Sequence, residues 1–425
     1  RTGRPGPVVI DIPKDVQKGT LEDYEYPAEP DLPGYHVQMS ASLDKVQKAW
    51  DLIKNGKRPL VYAGGGVINS NAADELFLFA TRANIPVTTT LMGLGGFPEN
   101  HALSVHMLGM HGTIYANKAI QACDVLIAVG SRFDDRVTGK IDEFAPHAKV
   151  IHMDIDPSSI SKNVKVDVDL VGDVKHILGD LNKLVEPCDT EEWVKQVQEW
   201  KRQHPLAYNG MEGDEIKPQY LVEMVNKLAP EDAIVASEVG QHQMWTAQYY
   251  TFRYPRTFLT SGGLGTMGYG FPAAIGAQAG NPGRMVIDIA GDGSLQMTIQ
   301  ELATAVYHNL PVKVVISNNG WLGMVRQWQD LFYKKNYSAT EMTRRASSHG
   351  SWMDAEYLPD FAKLAEAYGA WGKQVKIRSE LEPALQEAFS NDSPCQIDVW
   401  VAREENVYPM VSAGASLNPM LEGMA

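Results

Sequence analysis

The sequence predicts an α/β protein built from two consecutive parallel-sheet domains. Three features predict it: two blocks of near-continuous apolar runs that alternate with helical spacing, a polar stretch between the blocks, and glycines where the apolar runs end. Strands buried on both faces read as unbroken apolar runs, and their alternation with helices implies a sheet covered on both sides.

Residues 8–11 read as a short strand closed by Pro13, and residues 19–38, rich in Pro, Tyr and Glu without periodicity, as a linker. Ser42 opens an amphipathic helix ending near Lys54. Residues 59–63 form an apolar strand that runs into Gly64-Gly65-Gly66. Residues 71–84 have helical spacing of Ala, Leu and Phe, residues 85–90 are β-rich, and strands follow at 124–130, 149–155 and 166–171. The block ends near Val185; residues 191–202 read as a polar, Trp-containing helix, with a second linker up to Ile216. The second block has strands at 233–236, 257–260, 285–290 and 312–317 and helices at 270–278 and 295–308. In the last helix Ile299, Leu302, Ala303 and Val306 share one face. Beyond Tyr357 come a further helix and strands at 371–377 and 396–401.

The 425 residues leave room for two to three domains, and 44% hydrophobic with 21% charged residues is ordinary globular composition. A net charge of −14 argues against a general nucleic-acid surface. No apolar run reaches the roughly 18 residues of a membrane helix. Cys123, Cys188 and Cys395 are far apart and form no C-x-x-C, which speaks against a disulfide framework and a structural zinc site. They fit a reducing, cytoplasmic compartment (a plastid or mitochondrion in a eukaryote), and no targeting segment is visible. The chain opens on Arg1 without a Met and reads as the later part of something longer.

The strongest motif spans residues 288–320. A buried strand ends in Gly291-Asp292-Gly293-Ser294, a helix follows, and the next strand ends in Asn318-Asn319-Gly320. Both polar groups then lie at the carboxyl edge of one βαβ unit, where open α/β sheets bind ligands. Glycines admit a phosphate close to the backbone, and the helix start at Ser294 favours an anion. Asp292 and Asn319 offer hard oxygen donors for a small divalent cation. In the first block, Gly64-Gly65-Gly66 after a strand fits a pyrophosphate cradle or an ordinary turn equally well. Arg4, Arg132 and Arg136 fit phosphate contacts or surface ion pairs, and Asp154, Asp156 and Gly172-Asp173 close strands where a carboxylate can reach ribose hydroxyls.

Gly291-Asp292-Gly293-Ser294 with Asn318-Asn319 resembles the thiamine diphosphate fingerprint. Ser261-Gly262-Gly263-Leu264-Gly265-Thr266-Met267-Gly268 and Gly323-Met324-Val325-Arg326-Gln327-Trp328-Gln329 resemble the catalytic subunits of the acetohydroxyacid synthase (acetolactate synthase) family. So do Gly3-Arg4-Pro5-Gly6-Pro7, Met107-Leu108-Gly109-Met110-His111-Gly112 and Gly130-Ser131-Arg132-Phe133-Asp134-Asp135-Arg136-Val137, in order over nearly the whole chain. The stretch from Gly323 to Gln329 sets this family apart from simple decarboxylases.

The resemblance implies the following roles. Asp292, Asn319 and the carbonyl of Trp321 hold Mg2+. Gly293, Ser294, Gly240, Gln241 and His242 hold the diphosphate, with Val239, Gly265, Gly291, Leu322, Gly323, Met324 and Val325 as further contacts. Met267 lies under the thiazolium ring. The first block binds FAD without a redox role in the main reaction, through Arg4, Gly64, Gly65, Gly66, Thr90, Leu91, Leu108, Gly109, Met110 and His111. Gly130, Ser131, Arg132, Asp134, Arg136, Val137, Asp154, Ile155, Asp156, Gly172, Asp173 and Val174 complete that set. Arg136 pairs with a 2-ketoacid carboxylate, Trp328 shapes the pocket of the second ketoacid, and Lys14 and Asp135 line the access channel.

The implied domains are the tail of a pyrimidine-binding domain (1–18), a linker (19–40), a central FAD-associated domain (41–186), a linker helix (187–216), a thiamine diphosphate and Mg2+ domain (217–402) and a C-terminal tail (403–425). The family's glutamate for the aminopyrimidine ring lies in the pyrimidine domain, and no acidic residue of this chain takes that role. The expectation is therefore a truncated chain, inactive alone, with a homodimer or homotetramer carrying the site at the subunit interface and a possible regulatory subunit. Thr343-Arg344-Arg345-Ala346-Ser347-Ser348-His349-Gly350 has the character of an insertion, either an active-site loop or a lengthened surface loop. The expected reaction decarboxylates pyruvate on thiamine diphosphate and condenses the two-carbon fragment with pyruvate or 2-ketobutyrate. A pyruvate oxidase or other carboligase, and a non-catalytic cofactor-binding fragment, stand as alternatives; no nucleic-acid or membrane partner is expected.

Overall fold

A computed structural model describes residues 2–28, 35–211, 213–344 and 357–423. It contains two six-stranded parallel sheets. The first comprises β1 (Pro59–Ala63), β2 (Val87–Thr89), β3 (Ser104–Met107), β4 (Val125–Val129), β5 (Lys149–Asp154) and β6 (Val168–Val171), in the order β3-β2-β1-β4-β5-β6. The second comprises β7 (Ile234–Ser237), β8 (Phe258–Thr260), β9 (Val286–Gly291), β10 (Lys313–Asn318), β11 (Trp371–Val375) and β12 (Cys395–Trp400), in the order β11-β12-β10-β9-β7-β8. Strand order reverses between β1 and β4 in one sheet and between β7 and β9 in the other. At such reversals the connections leave on opposite faces and open a crevice at the carboxyl ends.

The unbroken apolar runs are explained by burial on both faces. In β1, Val61 and Ala63 join one core cluster while Leu60 and Tyr62 join the cluster on the opposite face. In β10, Val315 points to one side and Val314 and Ile316 to the other. Each such side chain contributes about 1.5–3 kcal/mol on burial, so the sheets are the rigid parts from which the strand ends project.

Helix Glu191–Gln203 docks on the first sheet's layer: Trp193 and Val197 are buried there, and Trp193 Nε1 donates to the Pro59 carbonyl at 2.9 Å. The C-terminal tail ties the domains together. Val407 N donates to Gln327 Oε1 at 2.8 Å on the second domain, and Val411 N donates to the Met110 carbonyl at 2.7 Å on the first. Among the described residues no helix is long and apolar enough to cross a membrane.

Two expectations are corrected. Residues 8–11 are not a strand; Val8, Val9 and Ile10 are 85%, 91% and 77% exposed, and a strand needs a ladder partner that the described residues do not supply. Only the short helix Lys14–Lys18 forms nearby. The single helix expected over 295–308 is three pieces, Asp292–Leu295, a 3₁₀ turn at Ile299–Glu301 and Leu302–Tyr307. The chain breaks where the Thr298 hydroxyl turns to donate to the Gly268 carbonyl, and Ala305, not Ala303, faces the core. Of the expected insertion, Thr343 and Arg344 are seen, Arg344 bridging to Tyr357; residues 345–350 lie outside the described residues.

Candidate functional site

The parallel pairing of β9 and β10 sets Gly291 beside Ser317. The next residues, Asp292 on one strand end and Asn318-Asn319 on the other, are therefore neighbours across the carboxyl edge, next to the β7/β9 reversal. There a cleft opens to solvent. The segment after β7 (Val239, Gly240, Gln241, His242) forms one wall, Gly291 to Ser294 the floor, and Asn319 with Trp321 to Val325 the opposite wall. Met267 closes a fourth side. Trp245 and Ser317 also line the cleft and were not foreseen. Gly265 was expected here but sits in the exposed run just before Met267, outside the lining.

Glycine is required on sterics alone at Gly291, where a Cβ would lie 2.6 Å from His242 Cε1. The Ser294 hydroxyl accepts from Gly291 N at 3.2 Å and fixes the turn. The metal candidates differ in how fully they are used. Asn319 Oδ1 accepts from Trp321 N at 3.1 Å, which leaves it a second lone pair. Asp292 is buried and its Oδ2 meets no hydrogen-bond donor. Burial, then the nearby Asp398 carboxylate, push the Asp292 carboxyl up to about 7. A buried carboxylate oxygen with no donor, facing an amide oxygen across a glycine-walled cleft, is the donor set a small hard cation takes. His242 is pushed down to about 3 by burial and stays neutral, with a buried, unpartnered Nε2 that can meet a ligand oxygen as an N–H donor or a ligand donor as an acceptor.

The first-block candidates follow the carboxyl ends of all six strands of the first sheet: Gly64–66 after β1, Thr90 and Leu91 after β2, Leu108 to His111 after β3, Gly130 to Val137 after β4, Asp154 to Asp156 at β5 and Gly172 to Val174 after β6. The β1 and β4 ends touch through glycine. A Cβ at Gly66 would lie 2.5 Å from Gly130 Cα, so this close approach accounts for glycine at Gly66 before any phosphate is considered. Several polar candidates already have partners. Arg4 pairs with Asp156 at 3.5 Å, Arg132 with Asp134 at 2.7 Å, and Asp173 caps helix Val174–Leu181. His111 is buried and pushed down to about 4, by burial first and the Arg136 charge second. Arg136 is 63% exposed in its side chain, 3.9 Å from Asp135. It lines a smaller cavity with Met110, Asp135 and the tail residues Val411 and Leu417, apart from the cleft. Trp328 is half-buried against Phe332, one helical turn beyond Met324, and is not in the cleft wall; Lys14 lies in the exposed N-terminal helix.

The raised Asp292 carboxyl fixes a sign. A group raised above its unfolded value of 3.8 adds stability below that pH and loses it as pH rises through about 7. In chelator, Asp292→Asn is therefore expected to stabilise the protein by up to about 4 kcal/mol at pH 8 but only about 1–2 kcal/mol at pH 5. The same variant is expected to lose Mg2+-dependent binding of thiamine diphosphate. Thermal melts at the two pH values with calorimetry check both; a variant no more stable at pH 8, or with unchanged affinity, contradicts the assignment.

Comparison with known proteins adds independent support. Residues 46–181 match the family model described as thiamine pyrophosphate enzyme, central domain, and residues 238–399 match thiamine pyrophosphate enzyme, C-terminal TPP binding domain. The chain is 48% identical over 421 residues to the acetolactate synthase large subunit of Corynebacterium glutamicum, covering 98% of this chain and 66% of that protein. It is 50% identical over 432 residues to that of Parasynechococcus marenigrum, covering 100% and 67%. For the Haemophilus influenzae large subunit the figures are 44% over 428 residues, covering 99% and 72%. The chain thus spans about two thirds of the length of these relatives. With its cleft at the strand ends and similarity along its whole length, the chain belongs to the acetolactate synthase large-subunit family of thiamine pyrophosphate enzymes.

Proposed function

We propose that this chain carries the metal and diphosphate half of an acetohydroxyacid synthase. The protein decarboxylates pyruvate and joins the remaining two-carbon unit to a second 2-ketoacid, pyruvate or 2-ketobutyrate. The products are acetolactate and acetohydroxybutyrate, precursors of branched-chain amino acids. The observation that carries this reading is the buried, donor-free Asp292 oxygen opposite Asn319 in a glycine-walled cleft. Thiamine diphosphate supplies, when bound, the electron sink that decarboxylation of a 2-ketoacid needs. Asp292, Asn319 and the Trp321 carbonyl hold Mg2+. The backbone around Gly293 and Ser294, with Gln241 and the neutral His242, meets the diphosphate. Met267 would bound the ring side, and Leu322, Met324 and Val325 give the cleft its apolar lining. The relatives' names favour this reading over an oxidase or a bare binding fragment. Their designation as large subunits supports an assembly with a further, regulatory chain, and a homodimer or homotetramer is the expected core.

We assign FAD to the first sheet's β1/β4 reversal; the crevice expected where the strand ends at Gly64 and Gly130 meet supports that reading. The protein is expected to take up FAD, followed by its visible absorbance, and to turn over pyruvate with no external electron acceptor. A main reaction that requires such an acceptor contradicts the non-redox role.

Trp328 and Arg136 are assigned to the acceptor. A hydrophobic wall discriminates one methylene by about 1–3 kcal/mol, or roughly 10–200-fold. In preparations that form acetolactate, Trp328→Leu is expected to erase most of the preference for 2-ketobutyrate while leaving pyruvate decarboxylation nearly unchanged. Arg136→Lys keeps the charge but loses the bidentate fork, and is expected to weaken both acceptors without changing their ratio. The product ratio in a competition between the two ketoacids separates them; a wild-type ratio for Trp328→Leu removes Trp328 from the acceptor pocket.

A further inference from the structure

Glu238 follows β7 directly and precedes the Val239 to His242 wall of the cleft, yet its carboxylate faces away from that wall and is fully buried. Oε2 accepts from Gly268 N at 2.7 Å and Oε1 accepts from Phe271 N at 2.9 Å. These donors sit at the start of helix Gly270–Gly280, whose first N–H groups have no partner within the helix and favour an anion.

Gly268 is the residue after Met267. The five residues before Met267 are exposed, Leu264 at 94%; Gly262 lies against Met92, and Thr266 N donates to the Ser261 hydroxyl at 3.0 Å. Gly268, by contrast, is held through both peptide groups: its N–H by Glu238, its carbonyl by the Thr298 hydroxyl at 3.1 Å. Gly268 is thus the residue through which the Met267 backbone is tied to the buried interior of the domain.

Behind Glu238 lies Asp288 of β9, fully buried with both carboxyl oxygens unpartnered. Gly270 lets the two elements meet, since a Cβ there would lie 2.6 Å from Asp288 Oδ1 and 2.5 Å from Glu238 N. Burial and the Glu238 charge raise Asp288 well above the carboxylate range, while the backbone donors oppose the burial of Glu238. Burial raises Glu238 as well, but the backbone donors converge on Glu238 and none meets Asp288.

We infer that Glu238 is a positioning residue: through its bond to Gly268 it sets where Met267 meets the thiazolium half of thiamine diphosphate. The inference rests on the thiamine diphosphate reading above. It separates the two halves of the ligand, because the Glu238 carboxylate bonds Gly268 and Phe271 and neither the Gly293-Ser294 turn nor the Gln241 and His242 side chains that meet the diphosphate.

The test is calorimetric titration of the chain, in Mg2+, with two probes: thiamine diphosphate and inorganic diphosphate. Glu238→Gln replaces one acceptor oxygen by an amide that opposes a backbone N–H. It is expected to weaken thiamine diphosphate about tenfold and inorganic diphosphate less than about twofold. Thr298→Val, which removes the donor to the other side of the same residue at a half-buried position, is expected to give the same selective loss at about threefold. It carries the test if Glu238→Gln does not fold. Asp288→Asn is expected to leave both probes within about twofold, since neither carboxyl oxygen of Asp288 bonds Gly268 or any other group. Equal loss of both probes in Glu238→Gln or Thr298→Val, or no loss of either, overturns the inference. A wild-type chain that binds neither probe overturns the thiamine diphosphate reading itself, and the inference with it.

Discussion

A carboxylate buried at the end of a parallel sheet is stable as an anion only if donors or a cation meet it. The second domain contains both cases side by side. Asp398 on β12 accepts from Asn318 Nδ2 at 2.8 Å, Gln374 Nε2 at 3.1 Å and Trp400 Nε1 at 3.2 Å, so its oxygens are met from within the chain. Asp292, two strands away, has an oxygen that nothing in the described chain meets. Asp288 also lacks donors, but of the two only Asp292 lines the cleft, where a ligand can reach it. Asn318 and Asn319 divide the same work: Asn318 is spent on Asp398, while Asn319 lines the cleft.

The remaining architecture follows from holding that open carboxylate in place. The β9–β10 register puts Asp292 next to Asn319, and the β7/β9 reversal leaves room in front of both. Gln241 reaches from the wall after β7 to three anchors: it donates to Gln327 Oε1 and the Glu405 carbonyl, each at 2.9 Å, and accepts from Asn319 Nδ2 at 3.3 Å. The cleft walls are thereby tied to the C-terminal tail, which continues onto the first domain at Met110. The two domains are coupled through hydrogen bonds a few residues from the cleft.

Much of this was legible in the sequence because the signals were strong and local. Apolar, β-rich runs located every strand but β3, most closely at β1, β4, β5, β7, β9 and β10, and the paired Gly-Asp-Gly and Asn-Asn ends located the cleft. Helices Val174–Leu181 and Pro218–Leu228 went unnamed despite their apolar spacing, while other missed elements lacked an apolar pattern. β3 carries Ser104 and His106, and its pairing with β2 is irregular. Helix Gln241–Tyr249 buries Gln241, Gln243 and Gln248, so its inward face has no hydrophobic period to read. Residues 8–11 have strand composition but no partner among the described residues, because pairing is a property of the whole sheet. Trp245 and Ser317 line the cleft by three-dimensional proximity alone, and Glu238 carries no motif at all. Spacing could bring Asp292 and Asn319 together, but it could not tell that Arg136 and Trp328 lie outside the cleft wall.

The central claim is that the Asp292 carboxylate takes a divalent cation that also binds a diphosphate. Titration of the chain with Mn2+, read from the loss of the free-ion electron paramagnetic resonance signal, tests it most directly. One tight Mn2+ per chain is expected when thiamine diphosphate is present, with much weaker uptake when it is absent, and chelator should release the organic ligand together with the metal. Thiamine diphosphate that stays bound in chelator, or Mn2+ uptake indifferent to it, contradicts the account.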